Sequence, residues 1–89
     1  MKAHLMDDCV LVTGTLDPHE ARDYLASEVD KASRNRSPMA GAMYDAYELA
    51  HEATAYPERG NIIPCRPEDD YRWSWHAKET GRVKAVRFE

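Results

Sequence analysis

The apolar and polar positions of the chain divide it into a strand, two amphipathic helices and a C-terminal hairpin. Residues Cys9 to Leu16 form an unbroken run rich in apolar and β-branched side chains, which is typical of a strand contacted on both faces. Gly14, near the end of this run, indicates a bulge or a close approach of another backbone segment. The pattern therefore predicts a first strand here, in a central position of a sheet.

The first helix has a strong start signal directly after this strand. Asp17 can accept hydrogen bonds from first-turn amides, Pro18 suits the first helical position, and Glu20 completes a capping box. Apolar residues then recur at helical spacing as far as about Ser33. One narrow stripe contains Ala21, Leu25, Val29 and Ala32. Because these side chains are mostly small, we expect the helix to pack closely on its neighbour.

A polar connector leads to a second helix, which the pattern predicts from Met39 to about Tyr56. Ser37 can cap this helix, and Pro38 can open it. Its inward positions are alanine, methionine and leucine, whereas acidic residues lie outward. The outward acids are Asp45, Glu48 and Glu52, with Tyr44 and Tyr47 beside the inward stripe. Residues 61–70 include two prolines and are predicted to form an extended loop that does not join a sheet throughout.

Residues 71–89 alternate as a β-hairpin does, with a three-residue loop at 79–81. That loop sets a register in which Trp73 lies opposite Arg87, within reach of a cation–π contact. One face of the hairpin then carries Tyr71, Trp73, Trp75, Ala77, Val83 and Ala85. The other face carries Arg72, Ser74, His76, Lys78, Arg82, Lys84, Val86 and Phe88. The hairpin is thus predicted to have one aromatic face and one mainly basic face.

Together these elements predict a single small α+β domain spanning residues 1–89, in the order β-α-α-β-β. Two helices would cover one face of a three-stranded, mainly antiparallel sheet that ends in the C-terminal hairpin. Trp73 and Trp75 have the composition of a stacking platform for single-stranded nucleic acid. Alanine-rich helices, however, need large sheet side chains beneath them to fill the space. We therefore expect both tryptophans to belong to the core.

Charge is distributed unevenly along the chain. Residues 71–89 hold five basic and two acidic side chains, whereas residues 1–70 hold seven basic and 14 acidic ones. Such a molecule offers two different surfaces to two kinds of partner. Like charges that face each other across strands are destabilising unless a partner relieves them, although a solvated face near a turn is an equally good explanation. The predicted partner-binding residues are Arg72, His76, Lys78, Arg82 and Lys84.

The sequence contains no motif that specifies catalysis, a cofactor or a metal. The four histidines and two cysteines lack the close paired spacing of zinc sites. Cys9 and Cys65 could form a disulfide, but in a reducing compartment buried free thiols are the more common arrangement. No apolar run is long enough for a membrane span, and no signal peptide is recognisable. We therefore expect a cytoplasmic protein that is not an enzyme and that has no cofactor or metal.

The function that these features predict is a non-catalytic interaction module. It would bind a larger protein partner through the basic hairpin, the acidic helices or both, as a regulatory or phage-type accessory protein does. The alternative is a small nucleic-acid-binding domain in which the basic face of the hairpin makes the contacts. A homodimer joined by edge strands or by the tyrosine-bearing side of the second helix is a further expectation. The usage of Ala, Arg and Asp hints at a bacterial or phage origin.

Overall fold

The chain forms a small α+β domain with two helices and one mixed sheet, which confirms the predicted fold class at that level. The structure is a computed structural model that describes residues 1–57, 62–64, 68, 72–76 and 83–89. In chain order the elements are β1 (Lys2–Leu5), β2 (Cys9–Thr13), α1 (Pro18–Arg34), α2 (Ala40–Ala55), β3 (Ile62–Pro64), β4 (Trp73–His76) and β5 (Ala85–Phe88).

The sheet is larger than predicted and is not purely antiparallel. Within the described residues it has five strands in the order β1-β2-β5-β4-β3. The central pair, β2 and β5, is parallel, and the other three pairs are antiparallel. The three-stranded prediction missed β1 because its residues alternate weakly. It missed β3 because Pro64 argued against a strand, although proline is tolerated at a sheet edge, where β3 lies.

The two helices begin and end close to the predicted positions. The Asp17 carboxylate accepts a hydrogen bond from the His19 amide at 3.0 Å, and Pro18 is the first residue of α1. Before α2, the Ser37 hydroxyl accepts a hydrogen bond from the Met39 amide at 3.1 Å. Gly14 has a positive φ of 95°, and a Cβ there would lie 3.1 Å from the Met1 Cα. The close backbone approach that was expected at Gly14 is therefore confirmed.

The core lies between α2 and one face of the sheet. Helix α2 contacts β2, β4 and β5, whereas α1 packs mainly against α2. The sheet contributes large apolar side chains, and α2 contributes mainly small ones. The fully buried sheet residues are Val10, Val12, Trp75, Val86 and Phe88. The buried residues of α2 are Ala42, Met43, Ala46, Leu49, Ala50 and Ala53. Alanine lets the helix backbone approach the sheet closely enough for the aromatic rings to fill the space beneath it.

The predicted register of the hairpin is wrong by one residue. Trp73 lies opposite Phe88 rather than Arg87, and their rings stack with centroids 3.3 Å apart. A shift of one residue moves every side chain of β5 to the opposite face. Phe88 and Val86, which the sequence places on the basic face, are therefore in the core, and Arg87 lies on the face of the sheet opposite to Trp73 rather than across from it.

The parallel pairing of β5 with β2 explains this register. Val86 lies beside Val10, and Phe88 lies beside Val12, so the apolar residues of both strands share the face beneath α2. The predicted register would have turned Phe88 away from the helices, which loses about 2 kcal/mol of burial or more. The loop at 79–81, on which the prediction was based, lies outside the described residues.

The tryptophans belong to the core, as expected, but their polar atoms are not satisfied there. Trp75 is fully buried and Trp73 is partly buried. Both indole N–H groups are buried, and neither has a hydrogen-bond partner among the residues that the structure describes. A buried donor without a partner costs about 1–3 kcal/mol relative to a satisfied one. The core therefore gains from the size of the indole rings while losing part of that gain at their nitrogen atoms.

Trp75→Phe is expected to lower the free energy of unfolding by less than about 2 kcal/mol, because removing the unpaired N–H offsets part of the lost packing. Trp75→Ala is expected to cost about 3–5 kcal/mol, since it leaves a cavity. Urea unfolding followed by circular dichroism measures both values. Equal costs for the two variants would contradict this prediction, because they would show that a phenyl ring recovers none of the lost packing.

Asp17→Ala is expected to lower the free energy of unfolding by about 1 kcal/mol, because the His19 amide loses its acceptor. The predicted capping box is incomplete, because the Asp17 amide donates to the Thr15 hydroxyl at 3.1 Å and not to Glu20. Glu20→Ala is therefore the matched control, since it removes a first-turn negative charge without removing the Asp17 cap. It should cost about half as much or less, as judged by the same urea titration. A larger loss for the control would contradict the assignment of Asp17 as the dominant cap.

Candidate interaction site

The five predicted contact residues of the hairpin do not form one described surface. Lys78 and Arg82 lie outside the described residues. Arg72 and Lys84 are exposed, and His76 is half-buried. By strand alternation Arg72 belongs with His76, whereas Lys84 belongs with the opposite side of the sheet. Backbone hydrogen bonds fix the positions of Arg72 and Lys84. The Arg72 amide donates to the Phe88 carbonyl at 2.7 Å, and the Lys84 amide donates to the Asp8 carbonyl at 2.7 Å.

The corrected register brings a different polar group onto the face of the sheet turned away from α2. We call this the outer face, and its described residues on the central strands are Cys9, Leu11, Ser74, His76, Ala85 and Arg87. Arg87 replaces Lys84 as the cation near His76. It lies between Leu11 on β2 and Ser74 on β4. The described part of the outer face therefore keeps the predicted number of cations, with Arg87 in the place of Lys84.

Ser74 and His76 form a hydrogen-bonded pair on this outer face. The Ser74 Oγ and the His76 Nε2 are 2.9 Å apart. A hydroxyl beside an imidazole is the arrangement that activates a serine nucleophile. Ser74, however, is only 6% exposed, so a substrate would have little access to its oxygen. The pair therefore joins residues of β4 without offering an open reaction site.

Cys9 on the same face is a buried free thiol, as the sequence predicts. Burial raises the pKa of the Cys9 thiol, and the neighbouring Asp8 and Asp7 carboxylates add to this shift, although the Arg87 guanidinium opposes it. A raised pKa leaves less of the reactive thiolate at neutral pH. Cys9 therefore behaves as a small apolar group. Cys65, its possible disulfide partner, lies outside the described residues.

The outward face of α2 forms an open groove of about 370 Å³. Its described lining residues are Tyr44, Tyr47, Glu48, His51 and Glu52, and we call this surface the α2 groove. These residues come together because positions three, four and seven apart share one side of a helix. The alanine-rich stripe packs against the sheet, and Tyr47, which is partly buried, packs against the same core. Tyr44, Glu48 and His51 are exposed.

Aromatic and acidic groups are in contact within the α2 groove. The Tyr44 hydroxyl donates a hydrogen bond to the Glu48 carboxylate, and this bond is the main reason why the pKa of Tyr44 is raised. The Tyr44 side chain is nevertheless exposed, with 49% of its surface open to solvent. The rings of Tyr47 and His51 lie 6.0 Å apart at an angle of 51°. The groove therefore presents flat ring surfaces beside carboxylates.

No lysine or arginine occurs between Ala40 and Ala55. The sequence did place Glu48 and Glu52 outward and Tyr44 and Tyr47 beside the buried stripe. It did not indicate that these side chains line one groove together with His51. The sequence signal for this grouping is the spacing of three and four residues on the polar side of the helix.

Other kinds of site are not apparent in the described part of the chain. Among those residues no group of three His, Cys, Asp or Glu side chains is placed to hold a metal ion. No helix found there has both the length and the apolar character that crossing a bilayer requires.

Comparisons of the chain with protein-family models, curated proteins and solved structures find no match. Among the described surfaces, the α2 groove therefore bears most directly on what the chain binds.

Proposed function

We propose that this protein is a non-catalytic interaction module that binds a basic surface of a larger protein partner through the α2 groove. The observation that carries the proposal is the contact of exposed tyrosine with glutamate along one side of α2. Tyrosine is enriched at protein interfaces, because a rigid ring buries a large area at a small cost in side-chain entropy. A regulatory or accessory role in the cytoplasm belongs to the same proposal.

The charge of the groove favours a cationic partner. Glu48 and Glu52 lie one helical turn apart, and Asp45 lies one turn or less from Glu48. A lysine or arginine that binds beside Glu48 would gain charge-assisted hydrogen bonds to carboxylate oxygens. An arginine would also stack its planar guanidinium on Tyr44 or Tyr47. The chemistry of the groove therefore fits an arginine-bearing segment better than an acidic or apolar one.

The size of the groove supports recognition of side chains rather than of a whole small molecule. Its volume of about 370 Å³ is near the lower limit of small-ligand pockets. Its described lining is polar and belongs to one helix, so it offers few apolar walls that would enclose a ligand. An open groove of this kind suits one or two projecting side chains of a partner.

Binding of an arginine-rich model peptide tests this proposal directly. Titration followed by two-dimensional NMR should shift the signals of Tyr44, Glu48 and His51 first. Glu48→Gln should weaken binding about three- to tenfold, since it removes one charge-assisted contact. Tyr44→Ala should weaken binding about tenfold or more if its ring is an anchor.

Glu20→Gln is the matched control, because it removes the same charge from the exposed first turn of α1. It should change the affinity less than twofold. An equal loss for Glu20→Gln and Glu48→Gln would show that only the net charge of the protein attracts the peptide. An unchanged affinity for Glu48→Gln and Tyr44→Ala would exclude the α2 groove as the binding surface.

Nucleic-acid binding by the outer face is the second candidate function. The observation that favours it is the corrected register, which adds Arg87 to the face that carries His76 and, just before β4, Arg72. Phosphate contacts from such a cluster would hold a strand across the sheet. The net charge of −4 opposes a broad approach of a polyanion, so contacts would be confined to this face and to the predicted hairpin cations.

Short single-stranded and duplex oligonucleotides at low ionic strength test this second candidate by fluorescence anisotropy. Arg72→Gln should weaken binding and lower the slope of log K against log salt concentration by about one, since one phosphate contact is lost. Arg34→Gln, which removes an exposed cation at the end of α1, should leave both values unchanged. Oligonucleotide binding that is unaffected by Arg72→Gln or by the salt concentration would contradict binding at the outer face.

A further inference from the structure

The outer edge of β1 is a second surface with the features of an interface. β1 is the last strand of the sheet on its side, and within the described residues only β2 pairs with it. The Met6 amide donates to the Cys9 carbonyl of the adjoining strand at 2.8 Å. Hydrogen-bonded pairs alternate along an antiparallel ladder. The main-chain groups of Leu5 and Ala3 therefore point away from β2, toward the free edge.

One of these outward groups is already occupied by α1. The Ala3 amide donates to the Tyr24 hydroxyl, which in turn donates to the Glu28 carboxylate. Burial and the Glu28 carboxylate raise the pKa of Tyr24, and the Ala3 amide acts in the opposite direction. Tyr24 thus covers the edge at Ala3 and leaves it open at Leu5. A strand that pairs with β1 would meet the N–H and C=O of Leu5 first.

Exposed apolar side chains flank this open position. Leu5 has 41% of its surface exposed, and Met6 has 46% exposed. Met1, which is 49% exposed, directly precedes β1. Large apolar side chains are thus exposed near both ends of one edge strand. Their burial against a partner would contribute favourably to association.

The charges at the two ends of this edge have opposite signs. Lys2 is exposed at the start of β1, and Asp7 and Asp8 are exposed just beyond its end. Two identical strands that pair in antiparallel orientation place the start of each beside the end of the other. Lys2 of each copy would then lie near the turn of the other copy that contains Asp7 and Asp8. The edge is therefore complementary to itself in charge as well as in apolar character.

We propose that β1 pairs in antiparallel orientation with β1 of a second copy of this chain, so that two sheets join into one across a two-fold axis. The side chains of two residues that lie opposite each other must point to the same side of the joined sheet. An odd-numbered residue of one copy must therefore lie opposite an odd-numbered residue of the other, and an even-numbered one opposite an even-numbered one. The register with Leu5 opposite Leu5 of the second copy meets this condition. It pairs the main-chain groups of the two Leu5 residues, leaves the Ala3 amide on Tyr24, and brings Lys2 near the Asp7–Asp8 turn of the second copy.

Charge-exchange variants test this pairing by sedimentation equilibrium over a range of protein concentrations. The unmodified chain should form dimers, and Lys2→Glu should raise the dissociation constant about tenfold, because two attractive pairs become repulsive. The double variant Asp7→Lys/Asp8→Lys should dissociate at least as strongly. A mixture of the two variants should associate again as a heterodimer, since every cross-strand pair is then attractive.

Lys31→Glu is the matched control, because it makes the same charge change at an exposed position near the end of α1. It should leave the dissociation constant unchanged, and circular dichroism should show that all variants remain folded. Leu5→Asp should abolish the dimer, because two carboxylates would face each other on the axis. A monomeric unmodified chain at about 1 mM, or variants that fail to associate when mixed, would overturn the proposal.

The dimer and the α2 groove are tested separately. The pairing of β1 involves none of the residues that line the groove, so peptide binding should persist in the Lys2→Glu monomer. The Glu48→Gln variant should likewise still form the dimer, although it binds the peptide more weakly. Failure of one proposal is therefore distinguishable from failure of the other.

Discussion

The burial of one apolar sheet face beneath α2 is the constraint on which the rest of this structure depends. Val10, Val12, Trp75, Val86 and Phe88 are fully shielded from solvent. The alanines of α2 provide little volume of their own, so the fold requires these large side chains to lie together on one face. This requirement decides which side chains are buried and which remain on the surface.

The same requirement tolerates a cost inside the core. Two indole N–H groups are buried without partners among the described residues, in a region that has few polar groups to offer them. The ring area of Trp75 and its edge contact with Phe88, at a centroid distance of 4.6 Å, offset this loss. A small domain with thin helices thus gains more from large aromatic side chains than it loses at their nitrogen atoms.

The two proposed interfaces fit together geometrically. A two-fold axis perpendicular to the joined sheet places the helices of both copies on the same side, so the two α2 grooves would lie on one side of the dimer. A partner with two basic segments would then bind both grooves, and its second contact would form at high effective concentration. The acidic helices would act as a paired surface, while the outer face of the sheet would remain separate from it.

Local sequence signals specify the helices, whereas tertiary packing specifies how the strands combine. Asp17, Pro18 and the alanine stripe of α2 were sufficient to place both helices, because capping and helical periodicity act within a few residues. Strand pairing joins segments far apart in the chain, so the addition of β1 and β3 was not readable from local pattern. The register of β5 depended on Val10 and Val12 of a parallel neighbour rather than on its own turn. That one-residue difference removed Arg87 from Trp73 and placed Phe88 in the core, and thereby changed which side chains are available for binding.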